Sequence, residues 1–279
     1  MVRVPGHILR QFDAFSLYNS PYPAHDTGCA IDLYPGGGRD ATAPSPVTGT
    51  VTAVRTVRAP PKSYAKASDH LIVVDTGDWL ARILHVDPAV GPGDEIDVGD
   101  SLGCLVRSGY FAPWVDNHVH LGFRPPDADP LRASGSLPVA VDVDVAAVPW
   151  DGWGTVVERA DTYVLLDAPA HPSPGEGFAS VAAGTSPEDG AIDGGLPHYA
   201  GGGRHGGPDG PVAVAGTRVG VASERTITWD AVEVRANGTP VTGLSFAPKR
   251  DRLGVKIVSW DGVQAPVGEE VRVTIHAND

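Results

Sequence analysis

The sequence predicts an all-β chain of two domains, and three observations carry that reading. Short runs rich in β-branched or alternating apolar residues recur along most of the chain, each bounded by Gly, Pro or Asp. No segment sustains a helical hydrophobic period. The 35 glycines and 26 prolines supply the turns that many short strands need, and a hydrophobic share of 42% leaves enough apolar side chains for a core.

The strand-like runs of the first half are 49–57, 70–75, 79–86, 101–107 and 118–123. Between them, VGPGDEIDVGD at 90–100 reads as tight turns around a short strand. After Phe123 the Pro, Asp and Ser load of RPPDADPLRASGSLP marks a linker, so the boundary falls near Pro138: a first domain at 1–138 and a second, β-rich one at 139–279. In the second, 138–148 and 154–167 alternate like strands and 212–275 returns to short strands. The stretch 168–210 is loose, and GGLPHYAGGGRHGG at 194–207 reads as a flexible Gly-rich loop whose His198, Tyr199 and His205 could cap a groove.

Charge and composition exclude several classes. With 21 Lys plus Arg against 34 Asp plus Glu the net charge is −13, which argues against a nucleic-acid partner or an anionic membrane surface. Only four basic residues are Lys, and Asp is abundant, a balance that suits a salt-adapted protein. Two cysteines, Cys29 and Cys104, form at most one bridge and read as buried thiols in strands. No secretory signal is visible at 1–11 and no apolar run approaches the ~18 residues of a membrane span, so a cytoplasmic location is the expectation, with export left open.

The chemistry-bearing residues fall in an ordered set: His25 and Asp32, His85 at a strand end, and His118-Val119-His120. Alternate residues of a strand share a face, so His118 and His120 point the same way, about 7 Å apart along the backbone. Two imidazoles with a carboxylate suit zinc and leave a fourth tetrahedral position for water, the arrangement of catalytic sites. A further His nearby can take a proton or face a developing oxyanion. Isolated histidines such as His7, His70 and His276 read as solvated or core residues. Ser108 lacks the Gly-x-Ser-x-Gly setting of a serine hydrolase.

From 22 to 125 the chain resembles the lysostaphin or LytM-type zinc metallopeptidases. The residues that carry the resemblance are HDTGCAID at 25–32, APSPVTGTV at 43–51, RILHV at 82–86, VGPGDEIDVGDSLG at 90–103 and HVHLGF at 118–123. It implies a barrel-sandwich hybrid, the duplicated hybrid motif, for the first domain. It also implies Asp32 and His120 as zinc ligands with His25 the third, and His118 and His85 as the catalytic base and the oxyanion-side His. Peptide-bond hydrolysis follows, on a peptide or peptide-crosslinked polymer. One departure stands out. The family spaces its first His and Asp four residues apart, whereas His25 and Asp32 are seven apart and an undistorted strand would face them oppositely. Either a bulge or turn around Gly28 brings His25 round, or Asp26, at even spacing, takes its place. The alternative reading is a catalytically inactive binding or scaffolding module on the same fold. A polysaccharide-binding surface built on Trp79, Trp114, Trp150 and Trp153 ranks last.

Overall fold

The computed structural model describes residues 1–38 and 41–278. The chain is all-β, with curled half-barrel sheets. Among the described residues helix is confined to Gly6–Leu9, Pro23–Asp26 and a 3₁₀ turn at Pro187–Asp189. Two compact units are present: Met1–Phe15 with Gly28–Asp142, and Ser16–Thr27 with Val143–Asp279.

The first unit is organised by a seven-stranded sheet. Its order is Ala14–Ser16, Ile31–Tyr34, Val119–Arg124, Leu80–Leu84, Ser68–Asp75, Gly49–Arg58 and Glu95–Ile96. A three-stranded sheet of Thr42–Pro44, Ser101–Leu105 and Val86–Pro88 accompanies it. Leu71, Ile72, Val73 and Val74 are all buried, so this strand is covered on both faces and its sequence reads as a continuous apolar run rather than an alternation. The neighbouring Ile31–Tyr34 and Val119–Arg124 strands contribute Ile31, Leu33, Val119 and Leu121 to the same core. Val2–Pro5 pairs in parallel with Val139–Asp142, which belongs to this unit.

The second unit is built on a twelve-stranded sheet that starts at Gly210–Val214 and ends at Thr239–Val241. The Gly-rich segment expected as a flexible loop is instead part of this sheet: Ala191–Leu196 and Gly201–His205 pair antiparallel with one another and with strands on both sides. The glycines are required by packing rather than by flexibility. A Cβ on Gly203 would lie 1.9 Å from the Tyr18 ring, one on Gly202 2.4 Å from the Trp229 indole, and one on Gly195 2.4 Å from His198 Nε2. The His198 ring packs tilted against that of Tyr199 at 4.4 Å, and burial pushes its imidazole down to about 4. His205 approaches Asp193 at 3.2 Å. Asp193, fully buried, also accepts from Ser16 Oγ at 2.5 Å and Leu17 N at 2.7 Å, which ties Ser16–Thr27 into this unit.

Two expectations are corrected by burial. Both cysteines are free thiols, but Cys104 is exposed and Cys29 only half-buried, because Cys104 falls on the outward-facing register of Ser101–Leu105. Trp114 and Trp150 are buried, so the four tryptophans form no common sugar platform. Among the described residues no helix is long and apolar enough to cross a membrane.

The glycine packing yields a direct test by thermal and denaturant unfolding. Gly203→Ala places a methyl inside the Tyr18 ring position and is expected to cost about 1–3 kcal/mol. Gly177→Ala, which meets open space, is expected to stay within about 0.5 kcal/mol of wild type.

Candidate metal centre

The register of the seven-stranded sheet places the centre. His120 pairs directly opposite Asp32 on one side and Leu84 on the other, so the imidazole and carboxylate rise from the same face as cross-strand neighbours. Their atoms meet: His120 Nδ1 lies 2.8 Å from Asp32 Oδ1. Among the described residues, His25, Asp32 and His120 form a group whose ligand atoms all lie within 4.8 Å of one another. His25 and Asp32 are buried and His120 is half-buried.

The seven-residue spacing is resolved by a change of backbone type. His25 stands on the short Pro23–Asp26 helix, and Gly28, at φ 61°, turns the chain before the Ile31–Tyr34 strand begins. The odd–even rule of a strand therefore does not apply across 25–32. Of the two alternatives it is His25 that turns inward, while Asp26 is exposed and takes no part in the group.

Hydrogen bonds at the other ring nitrogen define which atoms face the centre. His25 Nδ1 lies 2.9 Å from Leu17 O, and a carbonyl can only accept, so Nδ1 carries the proton and Nε2 the lone pair. His118 is held the same way by Asp116 O at 2.9 Å. Its Nε2 then faces Asp32 Oδ2 at 3.4 Å, an acceptor set against an acceptor. Burial pushes the His118 imidazole down to about 4; the Asp32 charge opposes the shift, and His85 and His120 add to it. His118 is thus neutral near pH 7. Its ring is boxed by Phe111 at 4.3 Å and Tyr34 at 5.0 Å. The loop before it is braced by Arg107, whose guanidinium donates to the carbonyls of Ala112, Pro113 and Val115.

His85 follows the Leu80–Leu84 strand with φ 73°, a left-handed conformation that costs a non-glycine residue roughly 1–3 kcal/mol. Its ring lies 5.2 Å from that of His118 and 5.6 Å from that of His120, centroid to centroid. The structure thus brings together His85, His118, His120, Asp32 and His25. It adds one buried residue that sequence reasoning passed over: Asp69, which accepts from the His85 backbone N–H at 3.0 Å and meets His85 Nδ1 at 2.5 Å. Ser108 Oγ donates to the same carboxylate at 2.5 Å rather than to an imidazole, so it is not set up as a nucleophile. A lone Asp at the start of a strand has no sequence signature that would have singled it out.

The family model described as the Domain of unknown function (DUF8155) N-terminal domain matches residues 3–141, and that for the DUF8155 C-terminal domain matches residues 146–276. The chain belongs to the DUF8155 family. The ligand group and the four histidines all lie in its N-terminal domain. No curated protein matches the chain. Among solved structures the NMR solution structure of lysostaphin is similar to this DUF8155 protein at 13% identity over 96% of each chain, with a TM-score of 0.28.

The Asp69 carboxyl supplies a pH test. Burial raises it, but the His85 ring, its hydrogen bond, the Ser108 hydroxyl and the His70 N–H outweigh burial and hold it at about 2. Its contribution to stability is therefore complete above about pH 4 and is lost as the pH falls toward 2, a loss of about 2 kcal/mol. Denaturant unfolding across that window should show this slope in wild type and lack it in Asp69→Asn.

Proposed function

We propose that the N-terminal domain is a zinc-dependent hydrolase of the metallopeptidase type, acting on a peptide or peptide-crosslinked polymer. The observation that carries the reading is the convergence of His25, Asp32 and His120, with the His25 ring already set by a backbone carbonyl. Fixing the second nitrogen of a ligating imidazole in this way orients the ring and raises its basicity as a ligand. Two nitrogens and one carboxylate suit zinc better than an oxygen-preferring cation, and they leave one position of four open. The Asp32 carboxylate facing the lone pair of neutral His118 is a further fit, since a cation or a proton donor relieves it.

A zinc ion held by these three residues would supply a Lewis acid that polarises an amide carbonyl and acidifies a water. The protein's own groups do the rest. His118, kept neutral by burial and with its lone pair at Nε2, accepts a proton. That proton then passes to the leaving amine through His85, whose ring lies 5.2 Å from that of His118 and whose cation, formed when Nε2 takes the proton, is stabilised by the Asp69 carboxylate behind it as negative charge develops. Phe111 and Tyr34 border His118 with ring surface that keeps water from its flanks.

Metal content, measured by elemental analysis on the full chain, tests the reading. Wild type is expected to retain about one zinc per chain and His120→Ala to lose it, with hydrolysis of glycine-rich peptides lost in parallel. Wild type that takes up no zinc when zinc is offered would leave a non-catalytic binding module on this scaffold.

A further inference from the structure

Asp69 is buried at the start of the Ser68–Asp75 strand, and two of the four hydrogen bonds made to its carboxylate come from one residue, His85. Oδ1 accepts from the His85 N–H at 3.0 Å and the His70 N–H at 2.7 Å. Oδ2 takes His85 Nδ1 at 2.5 Å and the Ser108 hydroxyl at 2.5 Å. One carboxylate thus grips both the backbone and the ring of His85, at the residue whose φ of 73° the backbone alone would not favour. The carboxyl is held at about 2 and is an acceptor only, so the nitrogen facing it must carry the proton.

We propose that Asp69 is a positioning residue that fixes His85 as the Nδ1–H tautomer and presents Nε2 to the His118 and His120 side, with Ser108 saturating the carboxylate. This rests on the reading of Asp32 and His120 as a metal centre, since that is what His85 faces. The geometry separates His85 from His118: both are protonated at Nδ1, but His118 donates to the neutral carbonyl of Asp116 and His85 to a full negative charge. A carboxylate behind an imidazole stabilises the cation formed when Nε2 takes a proton, whereas a carbonyl does so weakly. The two histidines therefore receive different work from different partners. Phe111, edge-on to the His85 ring at 4.6 Å, restricts the ring flip that would undo the assignment.

The arrangement makes an unusual demand of the isosteric variant. In Asp69→Asn the amide oxygen is needed by the two backbone N–H donors, which turns the amide NH₂ toward His85 Nδ1 and the Ser108 hydroxyl. An NH₂ must donate, so His85 is forced into the Nε2–H tautomer while its shape and surroundings stay the same. The consequence expected of a wrong tautomer is a loss of about 10²–10⁴-fold in turnover.

Nitrogen-15 NMR of the histidine rings on the full chain, at about pH 8 where free imidazole is neutral, reads the tautomer directly. The expected result is Nδ1–H for His85 in wild type and in Ser108→Ala, and Nε2–H in Asp69→Asn. Zinc affinity, measured against a competing chelator with zinc alone, is expected to change by less than about threefold in Asp69→Asn, because the ligands are untouched. A wild-type spectrum showing Nε2–H at His85, which needs no variant to fold, overturns the proposal, as does Nδ1–H persisting in Asp69→Asn. Zinc binding is scored separately: no uptake by wild type sinks the metal reading even if the tautomer switches as stated, whereas a wrong tautomer with zinc bound sinks only the role of Asp69.

Discussion

The centre depends on a single backbone register, the antiparallel pairing that sets His120 opposite Asp32. Strand side chains alternate, so a slip of one residue would turn both groups to the other face of the sheet. What prevents the slip is on that other face: Val119 and Leu121 on one strand and Ile31 and Leu33 on the other are fully buried. Apolar packing selects the register, and the register then delivers the polar pair. The chemistry of the site is in this sense written into the hydrophobic alternation beside it.

Burying charge in such a sheet is costly unless each group is partnered. Asp32 is met by His120 and His118, and Asp69 by His85, Ser108 and two backbone N–H groups. The two carboxylates lie in one unit yet hold their histidines differently. Asp32 shares the facing nitrogens of two rings, whereas Asp69 stands behind a third ring and leaves its far edge outward. Environments that separate chemically similar groups in this way are how one protein obtains both a proton acceptor and a proton carrier.

Much of this was legible in the sequence where a short period carried it. The all-β class followed from turn-bounded apolar runs, His118 and His120 from their alternation at a strand, and Asp32 from its place in the ordered set that carries the resemblance. For His25 strand parity left two alternatives open, and the one with a turn around Gly28 is what the structure has, because the residue stands on a helical turn that Gly28 ends. Asp69 was invisible because its partners, His85 and Ser108, lie 16 and 39 residues away. The glycines of 194–207 read as a loop because the rings that occupy the missing side-chain positions come from Tyr18 and Trp229, far off in the chain. Glycine content is ambiguous between freedom and close approach, and only the tertiary neighbours decide.

The strand order also bears on how long the centre persists. Ile31–Tyr34, Val119–Arg124, Leu80–Leu84 and Ser68–Asp75 are interior to the seven-stranded sheet, flanked on both edges by other strands. Backbone opening begins where pairing is one-sided, and such partial openings exchange amides without disturbing interior strands. Asp32, Asp69 and His120 therefore share the lifetime of the whole sheet rather than that of its margins. His25, by contrast, stands on the short Pro23–Asp26 helix outside the sheet and is not held by that strand pairing.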